Sequence, residues 1–190
     1  KNMLHSKILE LRPAKVSDMD QIMAIHSDHL KPRDQRDASQ GFLVGQLNAS
    51  RDSYYVLGNG HKQINGYICL LDYLPEEFVD ELILNNGAFL EEEIIRELKG
   101  ELPLVKVHQV AIHQDFLGQG LGKKAYSLLQ NQFPNLPIYA FVCTYPVINE
   151  RSLEFHRACG FEEIGEQEYF KQEELYAHRL LRRAPKNKEI

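Results

Sequence analysis

Apolar residues fall along this chain with two different periods, and the alternation of the two sketches its elements. Ile8 to Leu11 is a short apolar run stopped by Pro13, which predicts an opening strand. Met19, Ile22, Met23, His26 and Leu30 then recur at helical spacing. Ser17 with Asp20 three residues on is a capping-box-like start, so a helix is predicted from Ser17 to about Leu30. Lys31 to Gln40 is polar, carries Pro32, and reads as irregular chain. Two apolar runs follow, Tyr54 to Leu57 and Ile64 to Leu71, with Asn59-Gly60 between them, and predict a hairpin.

From Pro75 to Lys99 the chain is rich in Glu and Leu, and Asn86-Gly87 divides it into two helices. Leu104 to His113 is a strand whose apolar residues, Val105, Val107, Val110 and Ile112, occupy both parities, as in a strand covered on both faces. Gly118 to Gly122 then punctuates the chain before a helix from Lys123 to Phe133, stopped by Pro134. Ile138 to Thr144 is a further buried strand. Asn149 is placed to cap a helix that ends at Gly160, with Ile148 and Leu153 spaced for a hydrophobic staple. Phe161 to Ile164 and Leu175 to Leu181 predict the closing strands. The order is βα, a hairpin, a helical insertion over about 72–102, then βαβα and final strands. One mixed α/β domain over residues 1–190 is expected.

Composition narrows the partners. Hydrophobic residues at 43% and charged residues at 26% exclude a disordered or fibrous chain. A net charge of −5 argues against nucleic acid, whose phosphates call for a basic surface. The one basic concentration, Arg179, Arg182, Arg183, Lys186 and Lys188, reads as a strand end with a solvated tail. Cys69, Cys143 and Cys159 are odd in number and far apart, without Cys-x-x-Cys or zinc spacing. No metal is expected, and a reducing, cytoplasmic setting is. No apolar run approaches the roughly 18 residues that span a bilayer, so no membrane partner is expected.

The candidate chemistry begins at the glycine turn. A central strand runs into it and a helix leaves it, which places unpaired backbone N–H groups and the positive end of the helix dipole together. Glycines let an anion approach that backbone without a Cβ in the way. A Walker A loop would need glycine where Leu117 stands and a hydroxyl where Lys124 stands. Gly120, Gly122 and Ala125 satisfy a relaxed dinucleotide pattern, yet Ile138 to Thr144 lacks the acidic residue expected roughly 20 residues on.

Leu117-Gly118-Gln119-Gly120-Leu121-Gly122 resembles the acetyl-CoA pyrophosphate loop of the GCN5-related N-acetyltransferase (GNAT) family, Arg/Gln-x-x-Gly-x-Gly/Ala, with Leu117 in place of the first Arg or Gln. Asn149-Glu150-Arg151-Ser152-Leu153-Glu154-Phe155-His156, followed by Gly160-Phe161, is similar to the family's Asn-x-x-Ala/Ser-x-x-Phe-Tyr…Gly-Phe signature. The resemblance is sharp from about Val105 to Ile164 and loose over the N-terminal third. It implies a GNAT acyl-CoA N-acyltransferase fold: a central mixed seven-stranded sheet whose fourth and fifth strands splay, with a cofactor-binding core at about 104–165. It also implies that backbone groups of Val110, Ala111 and Ile112 pair with the pantetheine arm. Gly118, Gln119, Gly120, Leu121, Gly122 and Lys123 would hold the pyrophosphate. Asn149 would contact the cofactor arm as well as cap its helix.

The implied reaction moves the acetyl group of acetyl-CoA to a primary amine by direct attack through a tetrahedral intermediate. An alkyl amine has a pKa of about 10.4 in water, so a base must take its proton. Val107-His108-Gln109-Val110-Ala111-Ile112-His113 is similar to the same strand of arylalkylamine N-acetyltransferases, where a histidine lies on the proton path; that makes His108 the candidate base. His156 stands where many members carry a tyrosine acid, and imidazole can serve either way near neutral pH. Structural packing is the alternative role for both histidines. His113 reads as a surface residue, and Glu166 and Glu168 are weaker candidates for the base. The insertion is acidic, with Glu76, Glu77, Asp80, Glu81, Glu91, Glu92 and Glu93, and would lid the acceptor site in favour of a cationic amine, the alternative being a solvated face. The partners expected are acetyl-CoA and an amine acceptor, with a homodimer left open. A competing reading is an acyl-CoA-binding sensor or regulatory module without turnover.

Overall fold

The computed structural model describes residues 9–29, 53–59, 63–71, 76–171 and 173–187; Leu30, the 31–40 segment, Gly60 and Lys188 lie outside them. Seven strands, β1 (Glu10–Pro13), β2 (Tyr54–Gly58), β3 (Ile64–Leu71), β4 (Val105–Ile112), β5 (Ile138–Tyr145), β6 (Glu162–Lys171) and β7 (Glu174–Arg183), form one sheet in the order β1-β2-β3-β4-β5-β7-β6. β4 and β5 are parallel, while β1–β2, β2–β3, β5–β7 and β6–β7 are antiparallel. The α-helices among the described residues are α1 (Met19–His29), α2 (Glu76–Asn86), α3 (Glu92–Leu98), α4 (Leu121–Gln132) and α5 (Glu150–Ala158). The expected mixed seven-stranded sheet is therefore present. None of these helices is long and apolar enough to cross a membrane.

The differences from expectation have local causes. β1 starts two residues late and includes Pro13, which an edge strand tolerates because no ladder needs its missing N–H. The first helix opens through a 3-10 turn, Val16–Asp18, and the reciprocal bond comes from Asp18 rather than from Ser17 with Asp20. Its Oδ2 accepts from the Lys15 N–H at 2.7 Å, and Arg12 grips both carboxylate oxygens at 2.8 and 3.0 Å. β6 runs to Lys171, well past the predicted Ile164, because solvent on the open side of this edge strand admits Glu162, Glu163, Glu166 and Glu168.

The chain divides into two compact units. The first is Lys1–Leu70 with Gln109–Leu129. Its core sets Ile22 and Ile25 of α1 against Tyr54, Val56, Ile64, Tyr67, Cys69 and Ala111. A Cβ on Gly66 would lie 2.5 Å from the Ala111 carbonyl oxygen and 2.7 Å from Ile112 Cδ1, so this approach of β3 to β4 demands glycine.

The second unit is Leu71–His108 with Gln130–Ile190. Here Val79 and Leu82 of α2 and Ile94 and Leu98 of α3 pack with Tyr139 and Leu180. Each such aliphatic side chain contributes about 1.5–3 kcal/mol on leaving water. Under α3, Arg182 holds the buried Glu97 through two bonds, Nη2 to Oε1 at 2.7 Å and Nε to Oε2 at 2.8 Å. The Tyr139 hydroxyl donates to the same Oε2 at 2.5 Å. Arg182, at the strand end as expected, is buried there and anchors the insertion.

Candidate active site

β4 leads through a 3-10 turn, Gln114–Phe116, into the glycine turn and α4. His113 caps that 3-10 turn, its Nδ1 accepting from the Asp115 N–H at 3.2 Å, so it is a half-buried structural residue rather than the surface residue expected. Gly118 and Gly120 take φ of 74° and 73°, values an L side chain rarely adopts, and a Cβ on either would meet open space. Glycine is here for conformation and for access. α4 begins at Leu121, two residues earlier than predicted, with the Lys124 N–H bonded to the Gly120 carbonyl at 3.1 Å. The N–H groups of Leu121, Gly122 and Lys123 therefore precede the first intrahelical bond. Gly120 brings no side-chain acceptor to them, and Gln119 turns back, its Nε2 donating to the Asp115 carbonyl at 3.2 Å. A helix start with glycine at its cap position, beside two glycines whose Cβ positions are open, fits a diphosphate.

The preceding strand carries the second element. The His113 N–H bonds the Asn65 carbonyl of β3 at 2.8 Å, and the Ala111 carbonyl also lies on the β3 side. Backbone groups alternate between the two edges of a strand, so those of Val110 and Ile112 point to the edge away from β3. Of the three residues expected to pair with a pantetheine arm, Val110 and Ile112 present main-chain groups there and Ala111 does not.

The β4–β5 ladder, within the second unit, joins Val105 to Ile138, Lys106 to Tyr139 and Val107 to Ala140, and ends there although both strands continue. His108 is the next residue on β4 and is exposed. Two residues back, Lys106 is buried with its Nζ 4.8 Å from the centre of the Phe141 ring, and burial lowers its ammonium to about 8. Sequence reasoning passed over Lys106; a lone lysine between Val105 and Val107 was the available signal.

Asn149 caps α5 as expected, Oδ1 accepting from the Ser152 N–H at 3.1 Å. His156 is buried on that helix, its Nδ1–H donating to the Ser152 carbonyl at 2.7 Å, with Phe155 and Phe161 set edge-on at 5.2 Å. Burial lowers its pKa, against the opposing pull of the Ser152 carbonyl. The glycine turn and Val110 to Ile112 thus belong to the first unit, and His108, Asn149 and His156 to the second.

The other carboxylates are paired elsewhere or exposed. Glu166 pairs with Arg179 at 3.1 Å, and Glu168 is exposed. In the insertion, Glu81 accepts from Gln167 of β6, while Asp80, Glu91 and Glu92 face solvent. The side chains of Glu76 and Glu77 lie outside the described residues. Within the second unit Glu97 and Glu81 thus add to the apolar packing that fixes the insertion to the sheet, while Asp80, Glu91 and Glu92 are exposed.

The strand order defines a mixed α/β sheet with β4 and β5 parallel at its centre. Residues 20–161 match the Acetyltransferase (GNAT) family, and the chain belongs to that family. Among solved structures it is similar to a GNAT-family acetyltransferase from Streptococcus agalactiae 2603, at 14% identity and a TM-score of 0.65, over 94% of this chain and 96% of that one. The loading GNATL domain of CurA from Lyngbya majuscula matches at 14% identity and a TM-score of 0.63, covering 93% and 98%. A phosphinothricin acetyltransferase from Sinorhizobium meliloti, solved with AcCoA, matches at 18% identity and a TM-score of 0.55, covering 92% and 87%. At these identities the likeness is one of fold. No curated protein matches the chain.

Proposed function

We propose that the protein transfers the acetyl group of acetyl-CoA to a primary amine by direct attack. The observation that carries this is the glycine turn: a helix start with glycine at its cap position, next to two glycines whose missing Cβ atoms leave the approach open. The amides at that start would hold the diphosphate, and main-chain groups of Val110 and Ile112 that point away from β3 would pair with the pantetheine arm. The Val110 N–H would then face the thioester carbonyl and stabilise the oxyanion as the amine attacks. His108, exposed one residue past the end of the ladder, would take the ammonium proton, directly or through water. Asn149 would contact the cofactor arm from the start of α5. A protein amine or a small amine can be the acceptor, and a cytoplasmic setting suits three cysteines that form no disulfide.

His156 fits the leaving-group role less well. Its Nδ1–H is committed to Ser152 and its burial favours the neutral ring, so any proton it handles would pass through Nε2. That burial favours the second reading, a module that binds acyl-CoA without turnover.

Thermal shift with acetyl-CoA, ATP and NAD, followed by thiol release with an amine panel, separates the readings. Acetyl-CoA alone should stabilise the protein, by about 2.7 kcal/mol at 100 times its Kd. Release should fall at least about 100-fold in His108→Ala. Binding with no release on any amine would support the sensor reading; stabilisation by ATP or NAD instead would remove both.

A further inference from the structure

A strand that loses its ladder partner on one edge loses part of what fixes its path. β4 is in that position from His108 onward, since its pairing with β5 ends at Val107. Val110, whose N–H the proposed reaction uses, is held on its C-terminal side. There the Ala111 carbonyl lies against β3 at Gly66, and the His113 N–H bonds Asn65.

On the other side a side chain adds to the main-chain pairing of β4 with β3. Gln109 shares its parity with Ala111, so it projects toward α1, on the face opposite His108 and Val110. There His26 of α1, buried, sets its Nδ1 3.1 Å from Gln109 Oε1 and 2.8 Å from the hydroxyl of Tyr67 on β3. Gln109 Oε1 can only accept, so the Nδ1–H of His26 is shared between it and the Tyr67 hydroxyl oxygen, tying a helix and two neighbouring strands together at the residue that separates the candidate base from the candidate oxyanion donor. Tyr67 is itself fixed, almost wholly buried and with its ring centre 5.9 Å from that of Tyr54.

We infer that Gln109 is a positioning residue, locked by His26 and Tyr67, which holds the Val110 N–H in register with the reacting carbonyl. The inference rests on the proposed acetyl transfer. The lock works from behind the strand: it touches no substrate and fixes the path on which the catalytic groups sit. Loss of the Gln109 amide leaves the sheet intact and lets the Val110 peptide drift, which lowers kcat more than it weakens acetyl-CoA binding.

Isotope-edited infrared spectroscopy of protein-bound [1-13C]acetyl-CoA reads this directly, since a carbonyl that accepts a hydrogen bond absorbs at lower frequency. The wild-type band should move down on binding. In Gln109→Leu it should return at least half way toward the free ligand, with kcat about tenfold lower and Kd for acetyl-CoA little changed. Gln109→Glu, which keeps an oxygen for the His26 N–H, should restore both the band and kcat. If Gln109→Leu does not fold, His26→Phe removes the same lock from the helix side and should give the same shift. A wild-type band position in whichever of these variants folds, or a kcat loss that only tracks a loss of thermal stability, overturns the inference. Failure of wild-type protein to bind acetyl-CoA at all would instead remove the function on which it rests.

Discussion

The turn at Gly118 to Lys123 and the Glu97 cluster under α3 use polar groups in opposite ways. At the turn, a helix opens at the surface behind Gly120, which has no side chain to cap it, and glycine keeps the approach clear. Under α3, a full carboxylate and a guanidinium are taken out of water and every strong bond between them is made inside the protein. Burial alone would lower Arg182, but Glu97 and Tyr139 outweigh it and hold the guanidinium charged. Burial and the bond to Glu97 together push the Tyr139 hydroxyl well up, so it remains a donor. The first arrangement leaves binding capacity for a ligand; the second consumes it in fastening an insertion. Unmet donors in water cost little, and a broken pair in the interior costs a great deal.

The largest expected effect tests the second half of that contrast. Glu97→Ala strands a buried guanidinium and should lower unfolding free energy by about 3–5 kcal/mol, read by urea denaturation. Replacing the pair together, Glu97→Met with Arg182→Leu, should recover most of the loss, because an apolar pair carries no desolvation penalty. Acetyl-CoA affinity of the folded protein should be unaffected in both. If the single variant costs under about 1 kcal/mol, the cluster behaves as a surface ion pair and the contrast fails.

Acid comes next. Burial pulls His178 down to about 4, against an unfolded value of about 6.5. Between those values the unfolded chain holds a proton that the folded one refuses, so stability is full above about pH 6.5 and falls as pH drops toward 4, by about 3 kcal/mol. His156 is displaced in the same direction and adds to the slope. Chemical denaturation at pH 7 and pH 4.5 should show the loss, and His178→Leu should flatten it; an unchanged slope in that variant would place the acid sensitivity elsewhere.

These two regions also differ in how far the sequence disclosed them. The glycine turn, β4 and the capped α5 were legible because each depends on local chemistry: Gly120 and Gly122 at a strand end, alternating valines, Asn149 before a helical run. The hairpin and the divided insertion were legible for the same reason. The lock of His26 on Gln109 and the pair of Glu97 with Arg182 join residues 83 and 85 apart in the chain, and no window contains both partners. His26 looked like one more position on an apolar helix face, and Arg182 like part of a basic end. Lys106 was hidden differently, as a charge inside an apolar strand whose burial only the fold reveals.

The glycine turn yields a smaller stability effect and a larger ligand effect. Gly120→Val forces a β-branched residue to a φ near 73°, which costs about 1–2 kcal/mol. Its Cβ meets no protein atom, so the unliganded fold should persist, as circular dichroism would show. Acetyl-CoA affinity should fall at least about 100-fold, since the added methyls stand over the amides that would receive the diphosphate. Unaltered affinity by calorimetry would remove the turn from the site.

The smallest effect isolates burial from pairing. Arg157, Glu163, Arg179 and Glu166 form an ion-pair chain across α5, β6 and β7, within the second unit as Glu97 and Arg182 are, but in contact with water. The pairing chemistry is the same guanidinium–carboxylate contact; the difference is solvent. Water screens the charges, and the long side chains give up rotamer freedom to hold them together. Arg157→Ala should therefore cost under about 1 kcal/mol, and 0.5 M salt should erase most of that while leaving the Glu97→Ala loss in place. A cost comparable to that of Glu97→Ala would mean that pairing itself, wherever it occurs, carries the energy. The two charged regions would then differ in location and not in kind.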